Sequence, residues 1–174
     1  MTERVNIPIE KAVLGALMLD PSMVPIIAPL APPEDFHHPQ HALAMRAICE
    51  LSTKRGSIDP LTLAAHSNGA LDAPTLSALM HAVGTAANVE THARIVAENA
   101  RARRLANAGS SIFAKSRDPL VSADEIEAHA RATIEQASKQ NDMRLPATGQ
   151  EMAVELYEDI EAAIARRLVG RRSE

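Results

Sequence analysis

Apolar residues recur every three or four positions along residues 9–138, which is the spacing of helices that bury one face. Proline and glycine divide this pattern, because proline is accepted in the first turn of a helix and glycine just after its last turn. The pattern predicts five short helices before residue 89. Four of them begin at or just before Pro8, Pro21, Pro39 and Pro60, and the fifth begins after Asp72. The last three end before Gly56, Gly69 and Gly84.

The longest uninterrupted pattern runs from about Val89 to Arg117 and contains no proline. After a short break, residues 122–125 have the Ser-x-x-Glu sequence of a capping box, which predicts the start of another helix. Two long helices joined by so short a turn are expected to pack against each other as an antiparallel hairpin. We place this hairpin at residues 89–138.

The pattern is lost at residues 140–149, which are polar and include Pro146 and Gly149, and this composition indicates a linker. A last helix is predicted from residue 150 to about residue 168. Apolar residues lie four apart along it while its other face is charged, so its apolar side requires a partner. These residues are Met152, Leu156, Ile160, Ile164 and Leu168.

Composition favours an all-α protein. Apolar residues make up 46% of the chain but aromatic residues only 2%, so the core must be built from the small and aliphatic side chains that suit closely packed helices. The formal net charge of −4 argues against a surface that binds polyanions as a whole. The single Cys49, and the lack of an apolar leader or a membrane-length apolar run, lead us to expect a soluble cytoplasmic protein.

Motifs of recognisable catalytic centres do not occur in the sequence. It contains no GxxxxGK[ST] phosphate loop, no GxSxG, no HExxH and no CxxC. We therefore expect no catalytic residues, no cofactor and no metal in this chain.

Three histidines, His37, His38 and His41, form the best candidate metal site, with an acidic residue at position 34 or 35 to complete it. The alternative is a structural role at the start of a helix. Pro39 interrupts the geometry and no second ligand cluster follows, so the structural role is favoured, particularly for His41. Glu10, Gly15, Asp20, Gly56 and Asp59 are likewise interpreted as folding signals.

Arg101, Arg103 and Arg104 form a basic step on the first long helix. Such a step is able to contact phosphates. An exposed face paired with Glu98 and other acids is the favoured interpretation, because exposed charges on helices are common and no aromatic residue lies nearby to stack on bases.

Several short phrases stand in a fixed order along the chain: Val13-Leu14-Gly15, Leu19-Asp20-Pro21, Glu34-Asp35-Phe36, Ile58-Asp59 and Ala86-Ala87-Asn88. With His41 and Gly56 at the usual intervals, this series resembles the amino-terminal domain of DnaB-type replicative DNA helicases, and the resemblance covers roughly residues 6–137. The sequence departs from the family at residues 72–76, where the family often has Gly-Gly and Tyr-Leu. This departure and the low aromatic content suggest a phage or divergent bacterial member.

The resemblance implies a collar domain at residues 1–139, with a globular part at 6–84 and the hairpin at 89–138. In the family, hairpins pair subunits and the pairs assemble into a threefold collar on a hexameric ring. The linker at 140–149 and the helix and tail at 150–174 resemble the segment that reaches a neighbouring motor domain.

The same resemblance implies partners: other copies of the chain, the carboxyl-terminal domain of primase and a helicase loader. DNA, ATP and magnesium would be bound only by the full-length 5′–3′ helicase, of which we expect this chain to be a fragment. The alternative is a complete small regulator that imitates the collar and modulates a host helicase.

The interface is expected on the hairpin and on the last helix. Ile126 and Ile134 are predicted to lie where helices meet, so an aspartate at either position would damage the hairpin and oligomerisation together. The candidate interface residues are Arg101, Arg104, Ile112, Phe113, Ile126, Ile134, Leu156, Ile160 and Ile164.

Overall fold

The computed structural model describes residues 4–81, 83 and 85–142 of the chain, and within them the secondary structure is entirely helical. This confirms the predicted all-α class. Most of the predicted linker and all of the predicted last helix, including Leu156, Ile160 and Ile164, lie outside the described residues. The α-helices are α1 (Ile7–Leu19), α2 (Val24–Leu30), α3 (Pro39–Thr53), α4 (Pro60–His66), α5 (Ala73–His81), α6 (Val89–Ser116) and α7 (Ala123–Asp142), with 3-10 helices at Pro21–Met23 and Pro33–Asp35.

Side-chain caps begin the helices where the sequence predicts them. The Asp59 carboxylate accepts the backbone N–H groups of Leu61 and Thr62, both at 3.0 Å, at the start of α4. The side-chain and backbone hydrogen bonds from Thr62, together with that from the Ser57 hydroxyl, lower the pKa of Asp59 to about 2. At the start of α7, Ser122 and Glu125 form the predicted capping box.

The second predicted helix begins later than expected. Asp20 caps a 3-10 helix, and the α-helical geometry of α2 starts only at Val24. The N–H of Val24 bonds to the carbonyl of Pro21, three residues back. An α-helix from Pro21 would need the N–H of residue 25, which is a proline and has none. Pro25 is therefore accepted in the first turn of α2 but not inside a longer helix.

Helices α3 and α4 end in the same way, with a left-handed residue directly before the glycine that the sequence indicated. Arg55 and Asn68 adopt positive φ of 55° and 53°. The following Gly56 donates its N–H to the carbonyl of Leu51 at 2.8 Å, and Gly69 makes the equivalent bond to Ala64 at 3.0 Å. This is the Schellman pattern, in which the last carbonyls of the helix find donors.

The core lies around α1, which packs against α3, α5 and the first half of α6. Val13, Leu14 and Leu17 of α1 are fully buried. Helix α6 contributes Val89, Ala93 and further small residues to this core as far as Ala100, and its second half packs with α7 instead. Helix α6 is thus shared between the globular core and the hairpin.

Within the described residues, no single helix is both long and apolar enough to cross a membrane, and the one helix pair of sufficient length and composition, Ile7–Leu19 with Pro21–Leu30, is bent by 110°.

Gly15 allows α5 to approach α1 closely. A Cβ atom at this position would lie 2.4 Å from the backbone oxygen of Leu79 and 2.7 Å from a methyl group of Val83. The backbone oxygen cannot move without displacing α5. Glycine is therefore required here for packing, which agrees with its interpretation as a folding signal.

We expect Gly15→Ala to lower the free energy of unfolding by about 2 kcal/mol, because the added methyl group overpacks the contact between α1 and α5. Gly109→Ala is the matched control, since a Cβ there has no neighbour within 4 Å. It should raise the same free energy by about 0.5–1 kcal/mol through helix propensity. Urea unfolding of both variants measures the difference, and equal effects would contradict the close approach.

Candidate assembly surface of the helical hairpin

The base of the hairpin is held to the globular part by two arginines of α6. The Arg104 guanidinium donates to the carboxylate of Asp35 at 2.6 Å, and Arg103 donates to the backbone carbonyls of Asp35 at 2.6 Å and Arg4 at 3.0 Å. The side chain of Asp35 is 1% exposed and that of Arg104 is 19% exposed. The interpretation of Arg103 and Arg104 as an exposed face paired with Glu98 was therefore wrong.

Arg101 lies one turn before Arg104 and is half-buried. Its Nε atom and that of Arg104 are buried and have no hydrogen-bond partner within the described part of the chain. The three arginines of the basic step are thus partly buried where α6 meets the Pro33–Asp35 turn. A partner could reach Arg101 and Arg104 only through the exposed fractions of their side chains.

The three histidines are organised around a carboxylate. Glu10 of α1 accepts the backbone N–H groups of His37 at 2.8 Å and His38 at 3.3 Å, and the Nδ1–H of His41 at 2.8 Å. Both Glu10 and His41 are buried. Among the described residues, no group of three or more histidine, cysteine or acidic side chains is arranged to hold a metal ion. The structural role favoured for His41 is confirmed, because its ring holds the start of α3 against α1.

Burial opposes the ionisation of Glu10, but the hydrogen bonds from the His41 ring and from the backbone of His37 and His38 outweigh it. The pKa of Glu10 consequently lies below its usual value of 4.5. An ionised carboxylate with three donors is a stable buried arrangement, since each oxygen has a partner.

Helices α6 and α7 form the predicted antiparallel hairpin. The Ser111 hydroxyl lies 3.0 Å from Nε2 of His129, and nearer the base α6 meets α7 around Ala108 and Ala137. These two alanines are buried, and a cavity of about 290 Å³ lies beside them. Small side chains therefore lie in the seam where the two helices meet near the base of the hairpin.

Large apolar side chains of the hairpin are left outside this seam. Phe113 is 63% exposed, Ile134 is 48% exposed and Leu105 is 40% exposed. Leu120, in the turn between the helices, is 92% exposed. So exposed a side chain buries little surface within the single chain, and neither Leu105 nor Leu120 is among the candidate interface residues predicted from the sequence. The apolar pair Leu120 and Val121, in the short break between two predicted helices, was the available signal for Leu120.

The candidate interface residues divide into two groups in this structure. Ile112 and Ile126 are half-buried within the hairpin, whereas Phe113 and Ile134 face solvent. Phe113 also lies under the guanidinium of Arg117, 5.8 Å from its ring centroid. The expectation that Ile134 lies where α6 and α7 meet is therefore not met in the single chain, because nearly half of its side chain is exposed.

These features define the class: an all-α domain in which a globular helical bundle carries a long hairpin with exposed apolar side chains. The family model described as the DnaB-like helicase N terminal domain matches residues 2–98. The chain belongs to this family.

Comparisons with individual proteins support this assignment. The chain is 31% identical to the replicative DNA helicase DnaB of Rhodothermus marinus over 166 residues, which are 92% of this chain and 18% of that protein. It is also 31% identical to DnaB of Geobacillus stearothermophilus, over 90% of this chain and 36% of that protein. The crystal structure of the N-terminal domain of DnaB helicase from Mycobacterium tuberculosis has a TM-score of 0.71 at 28% identity, covering 78% of this chain and 99% of that one. The chain thus spans a minor part of the length of the two helicases.

We expect Arg104→Met to lower the free energy of unfolding by about 2–3 kcal/mol, because it removes the cation from a carboxylate that stays buried. Arg131→Met is the control, since the pair between Arg131 and Glu127 is exposed on both sides and should contribute less than about 0.5 kcal/mol. Thermal and urea unfolding of the two variants give the comparison. Equal losses of stability in the two variants would show that the buried Asp35 carboxylate is not stabilised by Arg104.

Glu10→Gln should destabilise the protein by about 2 kcal/mol at neutral pH, because the hydrogen bonds to a charged acceptor are lost. The folded-state pKa of Glu10 is lowered, so its contribution is complete above the unfolded value of 4.5 and is lost as the pH falls through the folded value. The difference between wild type and variant should therefore narrow below pH 4.5. Urea unfolding across this range measures it, with exposed Glu98→Gln as control, and a constant difference would contradict the assignment.

Proposed function

We propose that this domain assembles the subunits of a replicative DNA helicase, and that it does so by pairing the hairpin of one copy with the hairpin of another. The observation that carries the proposal is the exposure of Phe113 and Ile134 on a hairpin that buries Ala108 and Ala137 between its own helices. The family membership and the replicative helicases among its relatives support an assembly role.

A two-helix hairpin has only one internal seam, so each helix keeps a second face that it cannot bury by itself. Packing two such hairpins together produces a four-helix arrangement, in which these outer faces are covered. Apolar and aromatic side chains that are exposed in one copy then become the buried centre of the contact. A pair related by a twofold axis uses the same surface on both subunits, as most homodimers do.

Pairs of this kind are the proposed unit of a collar, which would continue to a trimer of dimers on a hexameric ring in the full-length protein. Residues 1–139 would form the collar domain, residues 140–149 the linker, and residues 150–174 the helix that contacts a neighbouring subunit. The same collar is the proposed docking site for the carboxyl-terminal domain of primase and for a helicase loader. ATP hydrolysis with magnesium and DNA translocation in the cytoplasm would belong to the rest of the full-length protein.

The alternative of a stand-alone regulator is not favoured, because the sequence is similar to replicative helicases over about nine-tenths of its own length.

We expect Phe113→Glu and Ile134→Glu each to weaken self-association about tenfold, which corresponds to about 1.4 kcal/mol for an apolar side chain at the centre of a contact. Both positions are exposed in the single chain, so the stability of the monomer should change by less than about 0.5 kcal/mol. Ile126→Asp, at a half-buried position, should instead reduce both stability and association. Sedimentation velocity at several concentrations, combined with thermal unfolding, separates the two effects.

Leu61→Glu is the matched control for this experiment. Leu61 is 74% exposed and lies on α4, away from the hairpin, so its replacement should leave association unchanged. Association that is equally weak in all three variants, or unchanged in both hairpin variants, would contradict pairing through the hairpin. Light scattering of the same set mixed with a primase carboxyl-terminal domain tests the docking proposal separately, because its failure would leave the pairing result intact.

A further inference from the structure

A cavity of about 540 Å³ lies between α1, α3 and α5 of the globular part, and no residue of the hairpin lines it. Its inner wall is apolar and consists of four buried side chains, those of Ala44, Leu71, Leu76 and Leu79. An engineered apolar cavity of about 150 Å³ is large enough to bind benzene. The present cavity therefore has room for an aromatic ring and for groups attached to it.

The charged groups in the lining of this cavity have opposite signs. Lys11 carries a positive charge, and Asp72 keeps its negative charge although its carboxylate accepts the backbone N–H and the hydroxyl of Thr75. The histidines of the lining add no charge in their neutral forms. The lining thus has no excess of either sign to select an ion, and an uncharged ligand avoids the cost of burying a charge.

His41 provides a hydrogen-bond acceptor in the lining. Its Nδ1 atom lies 2.8 Å from a carboxylate oxygen of Glu10. That carboxylate also accepts the backbone N–H groups of His37 and His38, so it is an acceptor here and the shared proton belongs to Nδ1 of His41. In the neutral ring, Nε2 then has a lone pair and no proton.

The Nε2 atom of His41 is accessible, although the residue as a whole is only 6% exposed. No group in the described part of the chain forms a hydrogen bond with it. The described side-chain nitrogens that are both buried and without a partner belong to Arg101 and Arg104, and Nε2 of His41 is not among them. Because His41 lines the cavity, the cavity is the space from which a ligand reaches this atom.

We propose that this cavity binds an uncharged phenol ring, whose hydroxyl donates a hydrogen bond to Nε2 of His41 and whose ring packs on the apolar wall. One acceptor in an otherwise apolar wall matches a ligand with one donor on an apolar body. An aromatic body is favoured over an aliphatic one, because the rings of His38 and His41 both line the cavity with their centroids 4.6 Å apart. The site does not depend on how the hairpins pair.

p-Cresol and 4-methylanisole form a matched pair of probes, since both carry an oxygen on the same ring and only p-cresol has a hydrogen to donate. We expect millimolar binding of p-cresol to the whole chain, as suits so small a ligand. 4-Methylanisole should bind about fivefold more weakly, because it leaves Nε2 of His41 without a donor. Methyl NMR titrations measure both affinities, and ring-current shifts at Ala44, Leu71, Leu76 and Leu79 locate the ligand.

The 15N NMR signals of the His41 ring test the hydrogen bond itself. In the neutral ring we expect the proton on Nδ1. p-Cresol should move the Nε2 signal upfield as this nitrogen accepts the hydroxyl, whereas 4-methylanisole should leave it nearly in place. The Nδ1 signal should change little with either probe, because Glu10 holds this side of the ring. A histidine with a structural role alone would not respond to the difference between the two probes.

Two alanine-to-tryptophan variants test the location. Ala78 borders the cavity at an exposed position of α5, so Ala78→Trp should fill the opening and weaken p-cresol binding about tenfold. Ala65→Trp is the matched control, because Ala65 is exposed on α4 and does not border the cavity. Thermal unfolding of both variants verifies that they are folded before their affinities are compared.

N-acetyl-tyrosine amide distinguishes the two sources of a phenol ring. Binding as tight as that of p-cresol would assign the site to a tyrosine side chain of a partner protein, and binding of p-cresol alone would assign it to a free small molecule. Either result supports the proposal. Tyramine and 4-hydroxyphenylacetate carry opposite charges on the same ring, and tighter binding of either one than of p-cresol would contradict selection of an uncharged ligand.

Equal binding of p-cresol and 4-methylanisole, an Nε2 signal that p-cresol does not move, or equal effects of the two tryptophan variants would each overturn the proposal. An absence of shifts at the four methyl positions would overturn it as well. None of these results bears on self-association through Phe113 and Ile134, so the two proposals fail independently.

Discussion

The buried carboxylate of Glu10 determines how the globular part of this domain is arranged. It lies on the central helix α1 and accepts three donors from the start of α3, two from the backbone and one from the ring of His41. An ionised group without these donors would be far too costly to bury. The chain between Pro33 and His41 must therefore lie against α1 in one arrangement, and this arrangement defines where the third helix begins.

The same short segment also fixes the hairpin. Asp35 lies just before the residues that bind Glu10, and its carboxylate and carbonyl accept Arg104 and Arg103 of α6. One turn of the chain thus has polar contacts to α1 on one side and to α6 on the other. A change in the geometry of this turn would disturb its contacts to both α1 and α6, because both sets of hydrogen bonds require the same arrangement of the turn. The position of the hairpin relative to the bundle is in this way set by buried polar groups.

Local signals in the sequence predicted the helices well, but the sequence did not reveal the long-range contacts. Proline, glycine and capping side chains act within four residues, so the limits of α3, α4 and the hairpin could be predicted from their neighbours. The late start of α2 was missed although its cause, the absent N–H of Pro25, is local. Pairing of Arg104 with Asp35 joins positions 69 residues apart, and no pattern in a single sequence distinguishes it from pairing with a nearby acid. The exposure of Ile134 was missed for a related reason, since periodicity shows that a face is apolar but not which neighbour covers it.

Helix α6 links the core to the proposed assembly surface without an interruption. Its first half is buried in the bundle through Val89, Ala93 and Val96, and its second half forms the hairpin with α7. The sequence contains neither proline nor glycine between Val89 and Ala108, so the helix has no residue at which kinks usually form where it passes from the core into the hairpin. Arg103 and Arg104 bind the globular part at the point where the two halves meet. A hairpin carried on a continuous helix and fixed at its base presents Phe113 and Ile134 in a defined orientation. Less conformational entropy is then lost when two copies associate.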